Sequence, residues 1–216
     1  RCLRGLSAVL LLTISLAFIN FLQVFSLALY PFNREWVFQV NRWLAFCWWN
    51  LCCFLVESWC GICFVYSGEE LAIAENAIVI ANHQCMADIL ALLWLGRRQK
   101  SLANLKWFAK AQLKYLPGIG WGLQFIDSLL IKRNWTSDRY FIEKMFQRYR
   151  EKNIPFWIIS FLEGTRLSPK KIAMAQEYAK RKNLTPLHFV LIPRTKGFFA
   201  TLQNLRGHYS AVYDIT

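Results

Sequence analysis

Between Gly5 and Asn33 the sequence carries no charged residue at all. A charge-free stretch of that length does not suit an ordinary solvent-exposed helix, and it is long enough to cross the hydrocarbon layer of a membrane. A paired cysteine framework is also missing. Five of the seven cysteines (Cys47, Cys52, Cys53, Cys60 and Cys63) crowd into one apolar segment, and only Cys85 follows them. That distribution excludes a disulfide-stapled secreted domain and fits a reducing compartment. Cys60-Gly-Ile-Cys63 has no second pair and no nearby histidine, so neither a zinc site nor a redox pair is expected. The thiols read as small apolar residues or palmitoylation sites. Internal repeats, low-complexity linkers and nucleic-acid motifs are absent as well.

Acidic residues are scarce, 13 against 26 Lys and Arg, and the imbalance is uneven. Residues 1–96 hold four basic and six acidic side chains, whereas 97–216 hold 22 and seven. An apolar first third followed by a basic remainder points to a membrane-bound protein whose polar part faces anionic headgroups or phosphorylated substrates, with no nucleic-acid partner. Gly5 to Asn33 is the first candidate membrane segment. Its apolar run exceeds a signal-peptide core, and no small-residue cleavage site precedes Tyr30-Pro31. Trp43 to Tyr66 is the second, interrupted only by Glu57, which should face protein or headgroups because an unpaired carboxylate in lipid is costly. Two geometries remain open, a two-helix span and a hairpin dipping into one leaflet. Either returns both ends to one side, which the basic remainder marks as cytosolic. Asn134-Trp-Thr136 and Asn183-Leu-Thr185 match glycosylation acceptors and are read as chance matches in a cytosolic domain. The chain opens on Arg1 rather than Met and closes within a predicted strand, and so reads as part of a longer protein.

From Glu69 onward short apolar runs alternate with amphipathic ones, the pattern of an α/β domain. Strands are expected at 77–81, 105–109, 129–132, 156–161, 189–192 and 211–215. Helices are expected from near Gln84, over Asp138 to Lys152 with Thr136 or Ser137 as its cap, and over Lys171 to Lys182. The expected architecture is a central, mostly parallel β-sheet flanked by helices (residues 69–216), preceded by a two-helix membrane segment (residues 1–68).

The chemistry concentrates at Asn82-His83-Gln84-Cys85-Met86-Ala87-Asp88. Residues five apart on one helix lie about 140° around its axis from each other, so His83 and Asp88 meet only if a helix begins between them. With His83 on the turn and Asp88 in the first helical turns, a His/Asp pair forms in which the carboxylate orients the imidazole as a general base. Backbone amides at the helix start would then be placed to stabilise an oxyanion. Two more polar clusters, Glu163-Gly164-Thr165-Arg166 and Pro193-Arg194-Thr195-Lys196-Gly197-Phe198, also follow apolar runs, as expected of a site at one edge of an α/β sheet. A hydrolase would need a nucleophile. Ser160 lacks the GxSxG elbow, which argues against a lipase. A non-catalytic lipid-binding scaffold would suit the composition but would not require His83.

The ordered set NHxxxxD, Lys132-Arg133 after an apolar and aromatic stretch, EGTR, and a strand ending in Pro193 resembles the motifs of the glycerolipid acyltransferases. The runs Pro117 to Trp121 (PGIGW), PRTKGF and Ala211 to Thr216 resemble the eukaryotic-type branch of the 1-acylglycerol-3-phosphate acyltransferases. The resemblance covers roughly residues 77–216. One departure is plain. The commoner pattern has an arginine soon after a Phe-Ile-Asp-like triplet, but here Phe125-Ile126-Asp127 is followed by Ser128, which leaves open whether Lys132 or Arg133 serves that motif.

The resemblance implies acyl transfer from acyl-CoA, a co-substrate rather than a cofactor, to the free hydroxyl of a lysophospholipid, giving phosphatidic acid from 1-acylglycerol-3-phosphate. Acceptors with another headgroup, of the lysophosphatidylinositol or lysocardiolipin type, are the alternative. It implies no metal, a bilayer as partner and an endoplasmic reticulum location. His83 and Asp88 would be the catalytic pair. Arg166 would bind the substrate phosphate, with Glu163, Gly164 and Thr165 shaping its turn. Lys110, Lys132, Arg133, Arg194 and Lys196 would be further phosphate contacts, and Pro193 a wall.

Overall fold

A computed structural model describes residues 2–216; Arg1, the first residue of the expected membrane segment, lies outside the described residues. Five strands, β1 (Ala77–Ala81), β2 (Leu105–Lys110), β3 (Leu129–Ile131), β4 (Trp157–Phe161) and β5 (Ala211–Ile215), form one sheet in the order β3-β2-β4-β1-β5. Every pairing is parallel. A parallel sheet is normally covered on both faces, and the residue parity of β4 shows how this one is covered. Trp157 and Ile159 join Ala77, Val79, Leu105 and Trp107 in a core with helices α2 (Arg34–Phe54) and α3 (Ala87–Arg98). Phe156 and Ile158 look the other way, into a second core with α5 (Trp135–Glu151) and α7 (Thr195–Asn204). Removing a large core side chain such as Trp157, which is fully buried, would cost about 3–5 kcal/mol.

The expected two-helix membrane segment is corrected to one apolar helix. Among the described residues only Leu3–Leu29, essentially α1 (Cys2–Ser26), is long and apolar enough to cross a membrane, and most of its side chains are exposed. The second helix starts at Arg34, not Trp43, because Asn33 caps it by accepting the Glu35 N–H at 2.8 Å. It carries Arg34, Glu35 and Arg42, and it packs into both cores through Phe38, Ala45, Trp49, Cys52 and Cys53. A π turn at Leu55–Trp59 ends it, and no helix follows up to Tyr66. Glu57 faces protein, where Trp94 Nε1 and Arg97 Nη1 each donate to it at 2.9 Å.

The PGIGW run is where α1 docks. Gly118 donates its N–H to Asn20 at 2.9 Å just ahead of α4 (Ile119–Phe125). A Cβ on Gly120 would lie 1.7 Å from the Leu113 carbonyl oxygen, so that turn tolerates only glycine. Helix α5 begins at Trp135 rather than Asp138, capped by Asn134, whose Oδ1 accepts the Thr136 N–H at 3.1 Å. The strand expected at 189–192 does not form. Both places beside β1 are filled, by β4 and β5, and both beside β4, by β2 and β1, so no edge is free near it. Helix α6 (Pro169–Arg181) and α7, the second of which was not expected, connect β4 to β5 across β1.

Candidate active site

The connection after β1 runs across β4 to β2, and the connection after β4 runs across β1 to β5. Adjacent strands whose connections leave in opposite directions mark the crevice where α/β proteins bind ligands. His83 and Glu163 lie just past the carboxyl ends of these two strands. His83 continues the parity of Ala77, Val79 and Ala81, and register pairs Ala81 with Phe161. The imidazole accordingly stacks on the Phe161 ring, with centroids 4.0 Å apart and planes 14° from parallel.

Helix α3 starts at Ala87, three residues later than expected, and Asp88 in its first turn reaches back. Its Oδ2 lies 2.9 Å from His83 Nδ1 and accepts the N–H groups of Gln84 at 2.7 Å and Cys85 at 2.9 Å. Partial burial alone would raise this carboxyl, but the donors from His83, Cys85 and Gln84 outweigh it and hold Asp88 below the usual aspartate range. An ionised Asp88 keeps the proton on Nδ1 and leaves Nε2 as the free base nitrogen. One expectation fails here. The amides of Gln84 and Cys85 are occupied by Asp88, so they are not oxyanion donors.

The Glu163–Arg166 turn is tied to the histidine by backbone. The His83 N–H points to Glu163 Oε1 at 3.4 Å, and the Leu167 N–H donates to the His83 carbonyl at 2.8 Å. Glu163 is buried, and its Oε2 has no hydrogen-bond partner. Gly164 has φ 68°, and a Cβ there would lie 3.0 Å from Arg194 Cδ. Glycine therefore serves both the turn and the close approach of the arginine. Arg194 is anchored by its own N–H donating to the Leu162 carbonyl at 2.8 Å.

A cleft of about 400 Å³ opens between this turn, α6 and the segment 191–194, with Glu163, Thr165, Pro193 and Arg194 among its walls. Arg166 is exposed and not part of the lining, and neither are Lys110, Lys132 and Lys196, also exposed. Arg133 is close enough that, after burial, the Arg194 charge is what lowers its guanidinium from the usual value. It sits at φ 65° on a turn held by Asp138, which accepts the N–H groups of Lys132 at 2.8 Å and Asn134 at 3.0 Å. Of the two candidates for the second motif neither lines the cleft, and Arg133 is the one whose charge interacts with that of Arg194. Ser128 is buried at the opposite end of β3, its Oγ accepting the Trp107 N–H at 3.2 Å, so an arginine there would not reach this crevice.

Sequence reasoning missed Lys171. It lines the cleft, donating from Nζ to Thr165 Oγ1 at 2.6 Å and to the Arg166 carbonyl at 2.9 Å. There was a signal for it. Two lysines in the first turn of a helix oppose the helix dipole, which suits an anionic ligand better than helix stability.

A parallel α/β sheet with a carboxylate-held histidine and a cation-lined cleft at the crevice between its central strands defines the class, an α/β enzyme. Comparison with known proteins narrows it. The family model described as Acyltransferase matches residues 63–215. The chain is 35% identical over 202 residues to 1-acyl-sn-glycerol-3-phosphate acyltransferase delta of Homo sapiens, covering 92% of this chain and 53% of that protein. It is 34% identical over 190 residues to 1-acyl-sn-glycerol-3-phosphate acyltransferase 2 of Arabidopsis thaliana, covering 86% and 49%. The chain belongs to the acyltransferase family. It spans about half the length of the curated relatives it matches. No solved structure matches it.

Proposed function

We propose that this protein transfers a fatty acyl chain from acyl-CoA to the free hydroxyl of a lysophospholipid, 1-acylglycerol-3-phosphate in the first instance, giving phosphatidic acid. The observation that carries the reading is the 2.9 Å contact from His83 Nδ1 to an Asp88 carboxylate held ionised, which leaves Nε2 as a base on the turn whose backbone N–H points to Glu163, a wall of the cleft. Nε2 takes the hydroxyl proton while the alkoxide oxygen attacks the thioester carbonyl. The C–S bond breaks as the new ester forms, and the imidazolium returns its proton to the departing thiolate. No acyl-enzyme is required.

Phe161 keeps the ring plane fixed and offers its π face to the imidazolium that forms. The acceptor phosphate lies near Lys171 and Arg194, with Arg133 behind them. Glu163, whose second oxygen lacks a donor, accepts a hydroxyl or amide of the substrate. Residues 69–216 supply this chemistry, while the N-terminal part holds the protein at the membrane, with the site on the cytosolic face of the endoplasmic reticulum. The curated relatives' names, the order of polar clusters along this chain and the basic cleft support the reading.

The test is a panel of lysophospholipids incubated with purified protein and one labelled acyl-CoA. Labelled phosphatidic acid as the dominant product is expected. Preferential labelling of an acceptor with another headgroup would move the substrate assignment, and no transfer to any acceptor would refute the reading.

A further inference from the structure

Helix α6 is held loosely for its length. Of its thirteen residues only Ala179 is fully buried. Its outward face presents Lys170, Met174, Tyr178 and Arg181 at spacings of four, four and three, with Met174 59% and Tyr178 45% exposed. The segment that follows adds Leu184 and Phe189, the latter 83% exposed. Single exposed apolar side chains need no explanation, but this group gathers within residues 174–189 and its charged neighbours are mostly positive, with Glu177 the one acidic side chain on the helix face. Residues 169–182 contain five cations, Lys170, Lys171, Lys180, Arg181 and Lys182, against one carboxylate, Glu177.

The segment is also fastened to the site. Gln176 Nε2 donates to the Leu187 carbonyl at 3.3 Å, which ties the segment to α6, and Gln84 Nε2 approaches the Phe189 carbonyl at 3.4 Å, next in sequence to His83. Lys171 and Tyr178 of the same helix line the cleft.

We propose that the exposed face of α6, together with Leu184 and Phe189, is a second membrane-contact surface that seats the mouth of the cleft on an anionic bilayer. The occupant follows from charge and shape. A few bulky side chains separated by lysines enter a headgroup layer, with the lysine stems lying along the apolar atoms and their ammonium groups at the phosphates, whereas a protein partner of comparable affinity would need a broader, flatter apolar patch. Attraction of this kind falls off within a Debye length, so it acts only if the face lies on the lipid. The surface is separate from the apolar α1, and the inference rests on the reading that the acceptor comes from a bilayer.

The experiment uses the whole chain in lipid nanodiscs, with the environment-sensitive amino acid dansylalanine in place of Phe189 and, as a reference, in place of Tyr140, which is 73% exposed on α5. Neither position bears on folding, because both side chains lie in solvent. Emission from position 189 should shift to the blue on discs containing phosphatidylserine, relative to discs of phosphatidylcholine alone. The shift should be lost when Lys180, Arg181 and Lys182 are changed to glutamine, while position 140 stays at its water value throughout. Water-like emission from position 189 on both discs would overturn the proposal and leave the face to an acidic protein. The fluorescence does not depend on turnover. A blue shift without acyl transfer would keep the membrane contact and refute the enzymatic reading instead.

Discussion

Asp88 and Asp127 are both partly buried, both lie close to a basic side chain, and are displaced in opposite directions. Asp88 collects three N–H donors on one oxygen and stays below the usual aspartate range despite burial. Asp127, at the other end of the sheet, is raised, because its greater burial outweighs the charges of Arg148 and Lys106. Arg148 approaches it at 2.9 Å, yet the same oxygen has no hydrogen bond in good alignment, so the pair is a contact of charges only. Lys106 is fully buried, donates to the Ile126 carbonyl, lies 5.1 Å above the Phe38 ring, and is lowered by desolvation to about 7. Tyr149 closes the cluster by donating to the Asp127 carbonyl. One cluster spends its hydrogen bonds on fixing a carboxylate and leaves a histidine nitrogen free on a turn that contacts a wall of the cleft, Glu163. The other is sealed around Lys106 and Tyr149, both fully buried, and reaches solvent chiefly through half-exposed Arg148. Buried charge is therefore a poor guide to chemistry unless an unoccupied atom faces a space where a substrate fits.

The contrast can be broken from either end. The largest effect is expected at the open cluster: His83→Ala should lower acyl transfer by at least about 10³-fold without unfolding the protein, as measured with labelled acyl-CoA and circular dichroism. Lys171→Gln should raise KM for a phosphorylated acceptor roughly tenfold, about 1.4 kcal/mol, with kcat and the KM for acyl-CoA little changed. Arg166→Lys should change the same constant much less, because Arg166 lies outside the cleft. A large effect there, of the kind its motif suggests, would mean that the arginine swings in when substrate binds. Smaller still, Phe161→Leu should reduce kcat a fewfold, since the leucine removes the face on which the imidazolium forms.

At the sealed cluster the readout is stability. A lysine whose folded value lies below its unfolded one destabilises the fold fully at pH below about 7, and the penalty disappears as pH rises toward the unfolded value. Thermal stability of the wild type should therefore climb from pH 7 to 10, and Lys106→Met should flatten that slope while leaving kcat alone. Asp88 has the opposite sign. Its contribution is present above the ordinary aspartate range and is lost as pH falls through its lowered value.

Much of this was legible in residue order, and the failures have physical causes. Strands β1 to β5 follow from short apolar runs bounded by polar clusters, and the His83–Asp88 pairing follows from helix geometry alone. The stack of His83 on Phe161 was not legible, because parity says which face a side chain takes but not which strand lies alongside it. The segment 189–192 has the composition of a strand, and only strand order shows that β1 and β4, where it would join the sheet, are already paired on both sides. The helix around Trp43 to Tyr66 was misplaced because aromatic and cysteine residues suit a lipid-facing and a core-facing helix equally. What separates them is Asn33 as a cap and the burial of Asn41, whose amide donates to Ser26 Oγ at 2.7 Å across to α1. Arg166 shows the limit of a motif, which names the turn but not which of its side chains enters the cleft.

The most direct test measures kcat and melting temperature side by side for Asp88→Asn and Asp127→Asn. Asparagine keeps the size of each side chain and tolerates the left-handed backbone at 127, where φ is 58°. The account predicts a loss of turnover at one site only. Asp88→Asn should lose about 10²–10⁴-fold in kcat with a small change in melting, because the imidazole tautomer is no longer fixed. Asp127→Asn should keep most of kcat, and at neutral pH its melting temperature should hold or rise, because burial disfavours the ionised Asp127 more than Arg148 and Lys106 favour it. Near-normal turnover in folded Asp88→Asn protein, or loss of turnover at Asp127 without loss of stability, would contradict it.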